Sequence, residues 1–266
     1  MTPAFRSLLS VPASEERFLA RAASSGAGAL MYDLEDGVAP DRKAEARERL
    51  GSFLAEGAGA AAAWVRVNSP GTPWWEADAA AVQTWPIAGV VLPKATLANL
   101  ASASVALPVD LPLMLLVESA LGIEESFALA TEHRAVALLF GSEDYRADLG
   151  AAGSPSPEDL RWARARLANA AAASGCLAID GPFTALEDDA GLARALAEAR
   201  AFGYGAKLCI HPRQIQAAES AFRPTAEQTA WAKRVVDALD TQTGVAVVDG
   251  RMVDEATAAY ARRLLG

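Results

Sequence analysis

Short apolar runs alternate with longer stretches of helical periodicity along almost the whole chain. The runs fall at Ser7–Val11, Ala29–Leu34, Trp64–Asn68, Gly89–Leu92, Leu113–Val117, Val136–Phe140, Cys176–Ile179 and Lys207–Ile210. They are near-continuously apolar rather than alternating, the pattern of parallel strands covered on both faces. A helical stretch follows each one. Eight β-then-α units in 266 residues predict a closed (β/α)₈ (TIM) barrel. An open doubly wound sheet is the alternative that periodicity by itself leaves standing.

Local signals punctuate these units. Ser14 is placed to cap a helix whose first turn holds Glu15 and Glu16, where acids suit the positive helix end. Ser156-Pro157-Glu158-Asp159 offers a cap, a proline at the first helical position and two acids. Gly26 and Gly175 fall where helix ends call for a left-handed residue. The run Gly57–Ala63 reads as a loop into the third strand. A barrel over residues 1–222 leaves an extension over 223–266 that it does not need for closure. The extension opens with the capping box Thr225-x-x-Gln228 and a helix to about Asp240. It continues with the apolar run Val245–Val248 and the segment GRMVDEA, and ends in an amphipathic helix.

Composition narrows the classes of function. A hydrophobic content of 52% with 21% charged residues is that of a soluble globular protein with a sizeable core. A net charge of −9 argues against nucleic acid or an anionic membrane as the main partner, while leaving room for a small anionic substrate met by local cations. Cys176 and Cys209 sit in apolar runs and read as buried reduced thiols. With only His133 and His211 besides, a Cys/His zinc site is not expected. Residues 1–12 lack a leader pattern and no run approaches a membrane span, so a cytoplasmic protein is expected.

Barrel chemistry gathers at the C-terminal ends of strands. Those positions hold Asp33, Glu35 and Asp36, then Arg66 and Asn68, Lys94, Glu118, Glu143 and Asp144, Asp180 and His211. Glu118 and Asp144 stand at adjacent strand ends, two hard oxygen donors of the kind that Mg²⁺ takes while keeping water and substrate as its other ligands. Either acid could instead cap a loop amide or pair with an arginine. Arg66 suits two-point binding of a substrate carboxylate, or a structural ion pair with Glu35 or Asp36. Lys94 reads as a structural charge, His211 as a packed, hydrogen-bonded histidine, and Trp74-Trp75 as core or lid. There is no P-loop, no complete dinucleotide fingerprint and no G-x-S-x-G elbow.

In order along the chain stand RSLLSVP, MYDLEDGVAPDRKAEAR, VRVNSPGTP, VVLPKA, VESALG, GSEDYRADLG, GAKLCIHPRQ and GRMVDEA. Together these resemble the family of the citrate lyase beta subunit, citramalyl-CoA lyase and malyl-CoA lyase. The resemblance implies Mg²⁺ on Glu118 and Asp144, the oxo-acid carboxylate on Arg66, and Asp36 behind that shell. Lys43 becomes a candidate contact for a CoA phosphate. Asp254, in GRMVDEA, matches an acid that in the family reaches a neighbouring subunit's site as the acid–base group, which implies a homo-oligomer, a trimer by expectation. The implied reaction is Mg²⁺-dependent cleavage of a citryl-, malyl- or citramalyl-CoA-like thioester into an acetyl-type thioester and an oxo acid. The chain departs from the family at Val11-Pro12-Ala13-Ser14, where relatives usually read VPGN, and has Ser119 for the usual threonine and Ala256 for a proline. Ala13 keeps an aldolase acting on free oxo acids in view. A non-catalytic metabolite-binding protein is a third reading, against which the joint presence of Arg66, Glu118, Asp144 and Asp254 speaks. CoA and an acyl-carrier protein are both open as the thioester carrier.

Overall fold

The structure is a computed structural model, and it describes residues 3–57, 62–150, 157–241 and 244–265. The chain forms two compact units, residues 1–222 and 223–266. In the first, eight parallel strands close on themselves: β1 (Ser7–Pro12), β2 (Ala29–Asp33), β3 (Ala62–Arg66), β4 (Gly89–Leu92), β5 (Leu113–Val117), β6 (Ala135–Phe140), β7 (Leu177–Asp180) and β8 (Ala206–Cys209). β8 returns to pair with β1, which rules out the open sheet. The helices are α1 (Glu16–Ala23), α2 (Lys43–Ala55), α3 (Trp75–Val82), α4 (Leu97–Ala106), α5 (Ala120–Ala130), α6 (Ser142–Asp148), α7 (Pro157–Ser174), α8 (Asp189–Phe202) and α9 (Ile215–Phe222).

Two apolar layers explain why the strands are apolar on both sides. One cluster draws on every strand and on no helix, including Leu8, Met31, Trp64, Val91, Met114, Leu139, Ile179 and Leu208. It fills the barrel. The alternating positions Leu9, Tyr32, Val65, Leu92, Leu115, Phe140 and Cys209 join helix residues in a second cluster, which is the layer between sheet and helices. Burial there pushes the Cys209 thiol up to about 12, and both cysteines are free.

Several helix ends use side-chain caps: Thr96 Oγ1 accepts from Asn99 N, Ser119 Oγ from Gly122 N, and Asp188 Oδ1 from Gly191 N. Ser14 does not cap α1, contrary to expectation. Its helix starts at Glu16 without a side-chain cap, and the Ser14 carbonyl instead accepts from Arg42 and Arg49. Gly26 and Gly175 do take left-handed backbones, with φ of 78° and 75°. Ser156 and residues 58–61 of the Gly57–Ala63 run lie outside the described residues.

The second unit comprises α10 (Ala226–Thr241), a hairpin of β9 (Val245–Val248) and β10 (Arg251–Asp254), and α11 (Glu255–Leu265). Its capping box forms as expected, with Thr225 N donating to Gln228 Oε1 at 3.0 Å and Gln228 N to Thr225 Oγ1 at 3.1 Å. One hairpin face packs Ala246, Val248 and Val253 against the helices, while the other exposes Val245, Val247 and Met252. Among the described residues no helix is long and apolar enough to cross a membrane.

Candidate active site

Strand alternation decides which strand-end groups reach the barrel mouth. Met31 is interior and Tyr32 exterior, so Asp33 and Glu35 continue the inward series. Trp64 and Val65 place Arg66 inward in the same way, and Leu116 and Val117 place Glu118 inward. Asp33 and Arg66 are direct register partners across β2 and β3.

Arg66 is held by that pairing. Its Nε donates to Asp33 Oδ1 at 2.7 Å and its Nη2 to Asp33 Oδ2 at 2.6 Å, a two-point contact. Its Nη1 lies 3.1 Å from Glu35 and 3.7 Å from Asp36. Burial opposes the guanidinium charge, but Asp33, Glu35 and Asp36 together outweigh it and the pKa is raised. Glu35 and Asp36 were anticipated as partners; Asp33 was not. Asp33 also takes the backbone N–H groups of Glu35 and Gly37, both at 2.8 Å, and so ties down the turn after β2. A Cβ on Gly37 would come within 2.5 Å of Asp33 Oδ2, so that turn has room only for glycine.

Lys43 corrects an expectation. Its ammonium turns inward and donates to the carbonyl oxygens of Leu34 at 2.8 Å and Glu35 at 2.6 Å, 5.1 Å from the Trp74 ring centroid. Burial lowers its pKa against the pull of Asp33 and Glu35. A buried cation spent on two carbonyls steadies the acidic turn and is not offered to a phosphate outside.

Glu118 and Asp144 line one cavity of about 470 Å³, together with Lys94, Thr96, Asn99 and Ser119. Glu118 is buried and Asp144, in the first turn of α6, is exposed. Glu118 Oε1 accepts from Lys94 N at 2.7 Å. Burial, then Glu35, raises the Glu118 pKa to about 8; the Lys94 N–H works the other way and Asp144 adds to the rise. Burial likewise lifts Glu35 to about 7 against Arg66. Burial and neighbouring carboxylates thus make these acids costly to ionise without a cation beside them. The seat of the Glu118 side chain depends on Gly141: a Cβ there would overlap Glu118 Cβ and lie 2.7 Å from Oε2. Two hard carboxylates lining one cavity fit a divalent cation of the Mg²⁺ type. Among the described residues no group of three or more His, Cys, Asp or Glu forms a metal cage, so such an ion would keep water or substrate ligands.

Lys94 was taken as a plain structural charge and is more unusual than that. It has φ 48°, a left-handed backbone that costs a side-chain-bearing residue about 1–2 kcal/mol. One of the strand-end candidates falls away from the mouth. Asp180 belongs to the exterior series, where it meets Lys207 at 2.5 Å and Arg164 at 3.1 Å in a buried network. His211 Nδ1 accepts from Arg213 N at 3.2 Å, the hydrogen-bonded role expected of it. Between the ends of β1 and β8 a mainly apolar groove of about 320 Å³ is lined by Pro12, Phe18, Arg21, Ile210 and His211 among others. Ala13 is buried in the exterior core and does not line that groove. In the second unit Asp254 Oδ1 accepts from Thr257 N and Oγ1, both at 3.0 Å, and these bonds hold its pKa below the usual carboxylate range.

A closed parallel barrel with buried acids and one clamped arginine at its C-terminal mouth defines a TIM-barrel protein with an anionic, cation-seeking site. The family model for HpcH/HpaI aldolase/citrate lyase matches residues 6–212, and the chain belongs to that family. It is 33% identical over 266 residues to a (3S)-malyl-CoA thioesterase of Cereibacter sphaeroides, covering 98% of this chain and 93% of the relative. It is 33% identical over 273 residues to a citrate lyase subunit beta-like protein of Deinococcus radiodurans, covering 98% and 96%. Among solved structures, protein CitE of Mycobacterium tuberculosis in complex with magnesium, acetoacetate and coenzyme A has a TM-score of 0.83 and 31% identity, covering 98% and 97%. The citrate lyase beta subunit of the same organism, complexed with oxaloacetate and magnesium, has a TM-score of 0.74 and 31% identity over 83% of this chain and 98% of that one.

Proposed function

We propose that this chain is a Mg²⁺-dependent carbon–carbon lyase that cleaves a 3-hydroxyacyl thioester, of the citryl-, malyl- or citramalyl-CoA kind, into an acetyl-type thioester and an oxo acid. The observation that carries it is the convergence of Glu118 and Asp144 on one cavity at the barrel mouth, where Gly141 leaves room for the Glu118 side chain. The magnesium, oxo-acid and coenzyme A complexes of similar proteins support the same assignment.

Glu118 and Asp144 would hold the ion. When bound, it supplies Lewis-acid polarisation of the hydroxyl and of the carbonyl that replaces it. Arg66, fixed along one edge by Asp33, orients the oxo-acid carboxylate with Asp36 steadying it from behind. Asp254 of a neighbouring copy takes the hydroxyl proton. The bond between the hydroxyl carbon and the thioester α-carbon breaks, and its electron pair passes to the α-carbon as an enolate. The same acid returns the proton there, leaving an acetyl thioester and an oxo acid. Acid–base assistance of this type contributes about 10²–10⁴-fold. The apolar groove at β1 and β8, with Arg21 on its wall, suits the carrier arm of CoA or an acyl-carrier protein. Ala13 does not narrow it. The exposed apolar hairpin face beside Asp254 supports docking on another copy, in a homo-oligomer that we take to be a trimer.

A second reading is favoured by the name of one group of relatives, the (3S)-malyl-CoA thioesterases: hydrolysis of the same type of thioester. One experiment tests both. Citryl-, malyl- and citramalyl-CoA are incubated with the protein, with and without Mg²⁺, and the products identified by mass spectrometry. An acetyl-type thioester and an oxo acid formed only with Mg²⁺ is the expected result. Free CoA and a hydroxy acid would replace the lyase with the hydrolase, and turnover after complete chelation would overturn the metal's role.

A further inference from the structure

We propose that Lys94 is a substrate-binding residue, whose ammonium takes a carboxylate oxygen of the oxo acid within the cavity that Glu118 and Asp144 line. The proposal rests on the lyase reading above and adds a residue to its site.

Four observations lead to it. Lys94 follows β4 at the C-terminal mouth and lines the same cavity as Glu118, Ser119 and Asp144. Its backbone is left-handed, φ 48°, where glycine or asparagine would sit more easily. That backbone turns the Lys94 N–H onto Glu118 Oε1 at 2.7 Å, and Asn99 Nδ2 fixes the Lys94 carbonyl at 2.8 Å. The strained conformation is therefore held from both sides of the residue, and it sends the side chain into the mouth.

The last observation is the state of the ammonium. Its ion-pair partner among the described residues is Glu35 at 3.6 Å, too long for a direct hydrogen bond, and the side chain is 55% exposed. The other cations nearby have less to offer. Arg66, 12% exposed, is clamped by Asp33 along one edge and has only the other edge for the substrate, and Lys43 is buried against two carbonyls. An ammonium carries three donors. Lys94 is the more exposed cation of the mouth, and it gives an anionic substrate entering this acidic site a second positive charge beside Arg66. The ion pair with Glu35 gives Lys94 a structural role as well, but at 3.6 Å it makes no hydrogen bond with the ammonium.

The two parts of Lys94 can be tested apart, because any residue except proline keeps the N–H that holds Glu118. K94G keeps that N–H, accepts the left-handed backbone and loses the ammonium; K94M loses the charge at similar length; K94R restores a charge. Each purified protein is titrated calorimetrically with MgCl₂, and then, loaded with Mg²⁺, with oxaloacetate. We expect oxaloacetate affinity to fall at least tenfold in K94G and K94M and to recover in part in K94R, with Mg²⁺ affinity in K94G within twofold of the parent. Thermal melting of K94G at or above the parent value shows that the loss is not unfolding. Oxaloacetate affinity unchanged in both K94G and K94M overturns the proposal. A fall in K94G matched by an equal fall in Mg²⁺ affinity also overturns it, since Lys94 would then act only through Glu118. Failure of the lyase reading looks different: the parent protein with Mg²⁺ would itself bind no oxaloacetate.

Discussion

Replacing Gly141 by alanine probes the cation site without substituting any proposed ligand. Gly141 caps α6 with φ −92°, a backbone open to alanine, so the effect comes from contact and not from strain at that residue. The added Cβ would overlap Glu118 Cβ and lie 2.7 Å from Glu118 Oε2 and 3.2 Å from Leu116 Cδ1. Ordinary contact between such atoms begins near 3.5 Å, so Glu118 must retreat by about an ångström. The strands cannot separate to help, because β5 and β6 stay in register up to Val117 and Phe140, one residue short of this pair. Overpacking of this type costs about 1–3 kcal/mol. For a chain of this size that is a fall in melting temperature of about 3–10 °C. Moving a carboxylate off its position should also weaken Mg²⁺ about 10–100-fold, the range seen when a group that orients a ligand is lost. Gly203→Ala is the control: its φ is 94° with no atom within 4 Å of the new Cβ, so it should lower stability and leave Mg²⁺ alone. The assays are melting by circular dichroism and Mg²⁺ titration by calorimetry. A destabilised Gly141→Ala that binds Mg²⁺ like the parent would refute Glu118 as a ligand.

Three further outcomes are expected. Arg66→Lys keeps the charge but loses the planar two-point contact with Asp33, so oxaloacetate binding should weaken by about 1–3 kcal/mol in calorimetry; unchanged affinity would leave Arg66 a purely structural partner of Asp33. The Cys209 thiol, raised by burial from 9.0 to about 12, holds about a thousandfold less thiolate than an unperturbed thiol below pH 9. Its alkylation by iodoacetamide at pH 8 should be at least that much slower in the folded protein than in urea, and comparable rates would contradict the buried site. Two inactive variants, Glu118→Gln and Asp254→Asn, unfolded and refolded together, should regain activity in about a quarter of sites if Asp254 is supplied by a neighbour; no recovery from verified mixed oligomers would confine Asp254 to its own chain.

The parallel strands could be read from the sequence because they are covered on both faces, which leaves near-continuous apolar runs, and their number, eight, pointed to the barrel that the β1–β8 pairing closes. Each observed strand overlaps its expected run to within two residues at either end. The same double covering hid part of the site. In a strand apolar on both faces, period two leaves no mark, so Glu118 and Asp180 look alike as strand-end acids. One faces the mouth and the other meets Lys207 behind the sheet, and only Leu116 and Ile179 taking their places inside the barrel separates them. The Asp33–Arg66 pair was hidden for another reason: 33 residues apart, they meet through the β2–β3 register, which no local pattern encodes. Lys43 was misread because a lysine at the start of a helix normally faces water. Here Trp74 covers it, and two carbonyls after β2 receive its protons. Lys94 follows the same logic in reverse, its unusual backbone being invisible until the turn that holds Glu118 is seen. Residue type and strand-end position located the acids; what each cation does depended on which oxygen atoms the closed barrel brought within 3 Å of it.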